Sequence, residues 1–249
     1  MLSRYIFRDR PREDLFRWRS PETSRIEGFS DAAFGFAITL LVVSLEVPRT
    51  SAELLTVLHG FVGFAFTFAI LFSLWKAQFT FFRRYGLEDE TTINLTGVFL
   101  FLVMFSVFPL KFLIGTLVTE ITNGSAVDPL ASQSDAAWLF FAYGSGFAAI
   151  FGTLALMYGH AYRQRERLGL SPLEVFETAE SIRRYVTQAV IFAMILLFPP
   201  VMSMPRETRR GVALPLFVGV AGALAVVQQV QRARARRRRE ELTAALAPA

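Results

Sequence analysis

Six apolar stretches, separated by charged or turn-forming connections, dominate the pattern of this chain. They run Ile26–Val47, Leu54–Phe82, Ile93–Val118, Trp138–Tyr162, Tyr185–Met204 and Val212–Gln229. Each approaches or exceeds the ~20 residues a helix needs to cross a bilayer. The second is too long for an upright span, so it is expected to tilt or protrude. Pro109 is expected to bend the third near its far end, and Pro199–Pro200 to kink the fifth. The pattern predicts an all-α membrane protein with six transmembrane helices and no β-structure.

Composition sharpens this picture. Of the 249 residues 53% are hydrophobic, including 26 Phe, and the mean hydropathy is +0.41. A soluble domain of this size would struggle to bury so much apolar surface, whereas lipid covers it. The chain has no Cys and only two His, which removes disulfide frameworks and thiolate or imidazole metal sites. No nucleophile–base constellation is apparent, so no enzyme chemistry and no cofactor are expected.

Charge sets the expected topology. Arg83 and Arg84 follow the second stretch, and Arg163, Arg165 and Arg167 follow the fourth. Residues 1–24 form a basic tail, and residues 232–249 form a second one around Arg232, Arg234 and Arg236 to Arg239. These regions fall on one side of a six-span bundle, residues 25–231, and the positive-inside rule makes that side cytoplasmic for both termini. The connection after the third stretch carries Glu120, Asp128 and Asp135 without Lys or Arg, as an outer loop should. Met204–Gly211, with Arg206, Arg209 and Arg210, is the one loop that dissents. The basic C-terminal tail reads as an anchor to anionic lipid rather than a nucleic-acid surface. His59 and Lys111 read as interfacial, and Gly144, Gly146 and Gly152 as close-packing positions of the fourth helix.

The first stretch carries the candidate chemistry. It opens with Arg25 and Glu27, places Ser30 and Asp31 a turn later, and then continues apolar with Thr39, Ser44 and Glu46 as its polar side chains up to Val47. An acid inside a membrane helix needs a partner and marks a functional site by default. Lys76 of the second stretch lies at a similar depth, ~10 Å from the same end, so an ion pair with Asp31 fits the geometry, as does Lys76 reaching to the head groups. Phe36, Leu40, Val43 and Val47 form an i, i+4, i+7, i+11 stripe with Thr39 on its flank and small residues around it. Periodicity alone leaves two readings of that stripe: packing within a bundle, or a hydrophobic constriction of a pore.

Arg25-x-x-x-Phe29-Ser30-Asp31, followed by the apolar run to Val47–Pro48, resembles the first helix of the transmembrane-protein-175 family of potassium channels. Trp75 in the second stretch, Asn94–Leu95 at the head of the third and Pro109 near its end are looser matches. The resemblance implies a prokaryotic-type homotetramer of six-helix subunits in the cell membrane, partnered by its own copies, by lipid and by potassium ions. It implies that the first helix lines the pore, with Phe36, Leu40 and Val43 constricting it and Thr39 supplying a ring of hydroxyls. It further implies that Arg25, Phe29, Ser30 and Asp31 form a polar network with the second and third helices, where Trp75 and Asn94 stand; Lys76 is added to that network on the depth argument above. A carbonyl filter is not implied, and the chain holds no TVGYG-type stretch. Two positions depart from the family pattern: Gln78 stands where His is frequent, and Phe36 where the narrowest residue is usually aliphatic.

The expected function is therefore a potassium-permeable cation channel. The alternatives are a proton- or cation-coupled carrier that titrates Asp31, for which repeated halves are missing, and a non-conducting scaffold plugged by Phe36.

Overall fold

A computed structural model of the protein describes residues 16–20, 22–43, 50–123, 133–194 and 196, together with isolated positions between 219 and 237. These residues form five α-helices: α1 Arg25–Val43, α2 Ser51–Tyr85, α3 Glu90–Asn123, α4 Gln133–Arg163 and α5 Pro172–Met194. The expected sixth stretch, Val212–Gln229, lies for the most part outside the described residues, as does the Pro199–Pro200 pair.

The helix boundaries follow from local chemistry. Ser24 caps α1 by accepting the Glu27 amide at 3.2 Å, and Asp89 caps α3 by accepting the Thr92 amide at 3.2 Å. α5 begins with a capping box: the Glu174 amide donates to Ser171 Oγ at 3.3 Å, and the Ser171 amide donates back to Glu174 Oε2 at 2.9 Å. α2 stops at Gly86, whose φ of +58° lets its amide close on Phe82 O at 2.8 Å. A Cβ at Gly86 would lie in ordinary contact with the Arg19 backbone, 3.5 Å away, so the positive φ rather than crowding favours glycine there. Gly169, also at φ +58°, ends the turn between α4 and α5.

α3 runs through Pro109 as one helix to Asn123. One boundary differs from the sequence expectation. α5 begins at Pro172, well before the apolar stretch at Tyr185. Its first half is amphipathic and polar, and its identity as helix comes from packing rather than from hydropathy.

α1 packs on α2 and α3, α3 packs on α4, and α4 on α5. Four helices hold windows long and apolar enough to cross a membrane: Arg25–Val43, Gly63–Tyr85, Glu90–Val107 and Phe141–Arg163. α1, with 19 residues, spans ~29 Å, close to the hydrocarbon thickness, while α2, with 35, exceeds it and must tilt or protrude. The beginnings of α1, α3 and α5 and the ends of α2 and α4 gather at one end of the bundle, with Arg83, Arg84, Arg163 and Arg165 among them. Beneath this charged end lies an aromatic core in which Tyr158 meets Phe81 and Tyr85 edge-to-face at 5.3 and 5.6 Å and Tyr185 tilts against Tyr158 at 5.2 Å. Phe16, from the segment before α1, is 2% exposed and closes that core against Tyr85.

Candidate functional site

α1 has two unlike faces. Glu27, Ser30, Phe34, Ala37 and Leu41 are buried against the rest of the chain. The face turned away carries Phe36 at 53% exposure, Val43 at 72%, Phe29 at 61%, and the small residues Gly28, Ala32 and Gly35. Thr39 also lies there, its hydroxyl donating to Gly35 O at 2.9 Å, and Leu40 sits half-buried at the edge. An added Cβ at Gly28 or Gly35 would meet nothing within 4 Å, so this face is open to another helix.

The first turns of α1 are joined to α2 by a polar ladder whose rungs climb α1 from Glu27 to Asp31 as they descend α2 from Arg83 to Trp75, because the two helices run antiparallel. Lowest, Glu27 meets Arg83, with Oε1 3.2 Å from Nε and the Glu27 side chain 2% exposed. The two groups face each other as charges without an aligned N–H···O bond, and both Glu27 oxygens lack a hydrogen-bond donor. Next, Gln78 Nε2 donates to Ser30 Oγ at 3.2 Å, while Ser30 donates to Ile26 O at 2.8 Å. Highest, the Trp75 indole N–H donates to Asp31 Oδ1 at 2.7 Å. That contact is charge-assisted, since the acceptor is a carboxylate. Trp75 is itself held between Phe72 and Phe79, each at 5.3 Å between ring centres.

Of the residues singled out in the sequence, the structure brings together Ser30, Asp31 and Trp75. Gln78, noted there as a departure from the family pattern, takes up Ser30. The ion pair considered between Asp31 and Lys76 does not form in this chain: Asp31 takes an indole N–H, and Lys76 is exposed. Trp75 and Gln78, three residues apart, share one face of α2, and that face rather than the one carrying Lys76 meets Ser30 and Asp31. Arg25, Phe29 and Asn94 are exposed, as are Phe36, Thr39 and Val43. Sequence reasoning used Arg83 only as a topology signal and did not pair it with Glu27, although Glu27 shares the buried helix face with Ser30 at i, i+3 spacing, which was a usable signal.

A second cluster sits where α3 and α4 meet. Asp89 Oδ2 lies 2.5 Å from His160 Nε2 and accepts a hydrogen bond from Gln164 Nε2 at 2.8 Å; its other oxygen accepts from the Thr92 hydroxyl. Burial alone would raise the Asp89 pKa, but the bonds from Thr92, His160 and Gln164 outweigh it and hold the group at about 2. Among the described residues, no group of three or more His, Cys, Asp or Glu could hold a metal ion.

Several apolar helices of membrane-crossing length, joined at one end by buried polar contacts, define a multi-pass integral membrane protein. The family model described as endosomal/lysosomal potassium channel TMEM175 matches residues 25–109, the whole of α1 and α2 and most of the described part of α3. A potassium channel of Marivirga tractuosa is 35% identical over 178 residues, 67% of this chain and 70% of that protein. Potassium channel Cha6605_3372 of Chamaesiphon minutus is 32% identical over 105 residues, 39% of this chain and 52% of that protein. The crystal structure of a variant of the potassium channel MtTMEM175, bound to a nanobody–MBP fusion, superposes with a TM-score of 0.74 at 29% identity, covering 88% of this chain and 97% of that one. The chain belongs to the TMEM175 family of potassium channels, which are not enzymes.

Proposed function

We propose that this protein is a potassium-permeable channel in which α1 from each subunit of a homotetramer lines a shared axial pathway. The observation that carries the reading is the two-faced character of α1. Its buried face is fastened to α2 and α3, while Phe36 and Val43 are exposed on the opposite side with Thr39 between them. Apolar rings around an axis make a constriction that closes by expelling water, and adjacent hydroxyls replace part of an ion's hydration shell. Phe36, Leu40 and Val43 are the constricting residues in this reading, and Thr39 supplies the hydroxyls.

The polar ladder of Ser30 and Asp31 with Gln78 and Trp75 fixes the rotation of α1 about its axis, and so fixes which face meets the pathway. Arg25, Phe29, Lys76 and Asn94, exposed in the single subunit, are then available to neighbouring copies or to lipid head groups. Six spans make up residues 25–231, with basic tails 1–24 and 232–249 and the charged end of the bundle in the cytoplasm. The names of the relatives support potassium as the permeant ion.

The test is potassium flux into liposomes holding the purified oligomer, compared with sodium. Phe36→Ala and Leu40→Ala widen the constriction and should raise the flux. Wild-type flux that both substitutions leave unchanged would show that the pathway does not run along this stripe.

A further inference from the structure

The segment before α1 belongs to a basic tail by sequence, yet Phe16 to Ser24 is bolted to the charged end of the bundle at both of its ends. Arg19 is the first bolt. Its Nη1 and Nη2 donate to Glu174 Oε1 and Oε2 at 3.0 and 2.7 Å, a fork-to-fork pair, and its Nε donates to Leu168 O at 3.0 Å. Glu174 also accepts the Arg17 amide at 2.8 Å. The side chains of Arg19 and Glu174 are 14% and 5% exposed. Arg83 is the second bolt: its guanidinium donates to Ser20 O at 3.1 Å and to Thr23 Oγ1 at 3.2 Å, while its Nε faces Glu27. The Arg19 amide donates to Arg83 O at 3.0 Å, so the two bolts share one backbone segment.

The partner of the first bolt is the polar half of α5. Glu174, Glu177 and Thr178 lie on one face of that helix at i, i+3, i+4 spacing. Glu177 pairs with Arg84 at 3.6 Å, and Thr178 Oγ1 lies 2.8 Å from Tyr85 Oη. One face of α5 thus grips both the end of α2 and, through Arg17 and Arg19, the segment that leads into α1.

We infer that Arg19 and Glu174 are positioning residues for the inner end of α1: the clamp transmits the position of α5 through residues 16–24 and Arg83 to the first turn of the pore-facing helix. Stiffness makes the coupling effective. Phe16 is buried, Arg84 lies over its ring at 4.7 Å, and α1 begins at Arg25, one residue after the capping Ser24, so the segment has little slack to absorb a displacement. The consequence for conduction rests on the pore reading of α1 given above, whereas the mechanical coupling does not.

Backbone amide exchange and potassium flux, measured on the same purified full-length oligomer, separate the two. Arg19→Gln cuts the bolt while leaving the capping box of α5 intact, and Glu174→Gln cuts it from the other side. Glu180→Gln, which removes a carboxylate paired with Arg183 on the same helix, is the control. Both test variants should speed exchange over Phe16–Ser24 by about tenfold or more. The acceleration should extend into Arg25–Ser30 and leave α4 unchanged. Arg19→Lys, which keeps the charge but loses the fork, should restore part of the protection.

Faster exchange confined to Phe16–Ser24, with Arg25–Ser30 as in wild type, would overturn the coupling. So would an equal change in the Glu180→Gln control. Potassium flux should shift in the same direction in both test variants. If wild type passes no potassium, the pore reading fails, and the exchange data still decide the clamp.

Discussion

Replacing Arg83 should cost more than replacing the acid it faces, and the double replacement should cost less than the sum. The reason is the asymmetry of burial. The Glu27 side chain is 2% exposed with neither oxygen accepting a hydrogen bond, so its charge is balanced chiefly by Arg83. Arg83→Gln strands that carboxylate, and leaving one partner of a buried ion pair uncompensated costs ~3–5 kcal/mol. Glu27→Gln removes the buried charge itself. Arg83 then keeps Ser20 O and Thr23 Oγ1 and is 14% exposed, so water shares its solvation. That variant should lose ~1 kcal/mol, the scale of one ordinary polar contact.

In the double variant the stranded charge is gone, and only the Arg83 bonds to the segment before α1 remain lost. Its cost should fall about 2 kcal/mol short of the sum of the singles. Chemical unfolding in mixed micelles, followed by tryptophan fluorescence with Trp18 and Trp75 as reporters near the ladder, measures all three. An Arg83→Gln variant no less stable than Glu27→Gln would refute the reasoning, as would strict additivity. Either result would mean that Glu27 is not held as a buried charge facing Arg83.

Two further outcomes follow from the same geometry. Trp75→Phe deletes the donor to Asp31 but keeps an aromatic ring between Phe72 and Phe79, so the loss should be ~1 kcal/mol, the net scale of one hydrogen bond. Lys76→Gln should stay within ~0.5 kcal/mol in the same unfolding assay, and a larger loss than Trp75→Phe would show that Lys76 is the true partner of Asp31. The Asp89 cluster predicts the acid response: a carboxyl at about 2 in the folded chain, against 3.8 ordinarily, contributes stability that is complete above the higher value and vanishes as pH falls through the lower. Asp89→Asn should therefore flatten the pH dependence of unfolding between about 4 and 2, and an unchanged slope there would discount the cluster.

The membrane class, the helical content and the importance of the first stretch were legible in the sequence because each depends on local pattern. Apolar runs of bilayer length admit few other structures, since backbone groups in lipid must bond within their own helix. Ser30 and Asp31 stood out for a related reason: polar groups are conspicuous inside an apolar run. The partners were less legible. Depth along two helices can be counted from residue numbers, but rotation about each axis cannot, and rotation decided that Trp75 rather than Lys76 faces Asp31.

The same limit hid Glu27, which reads as one more charge at a helix end until Arg83 is placed against it. It also hid the polar half of α5, whose Glu174, Glu177 and Thr178 look like a solvated turn until Arg19, Arg84 and Tyr85 are set opposite. Sequence by itself determined what must lie in lipid, because hydropathy is a property of each residue. Only the tertiary structure decided which charges meet, because pairing depends on the relative rotation of helices far apart in the chain.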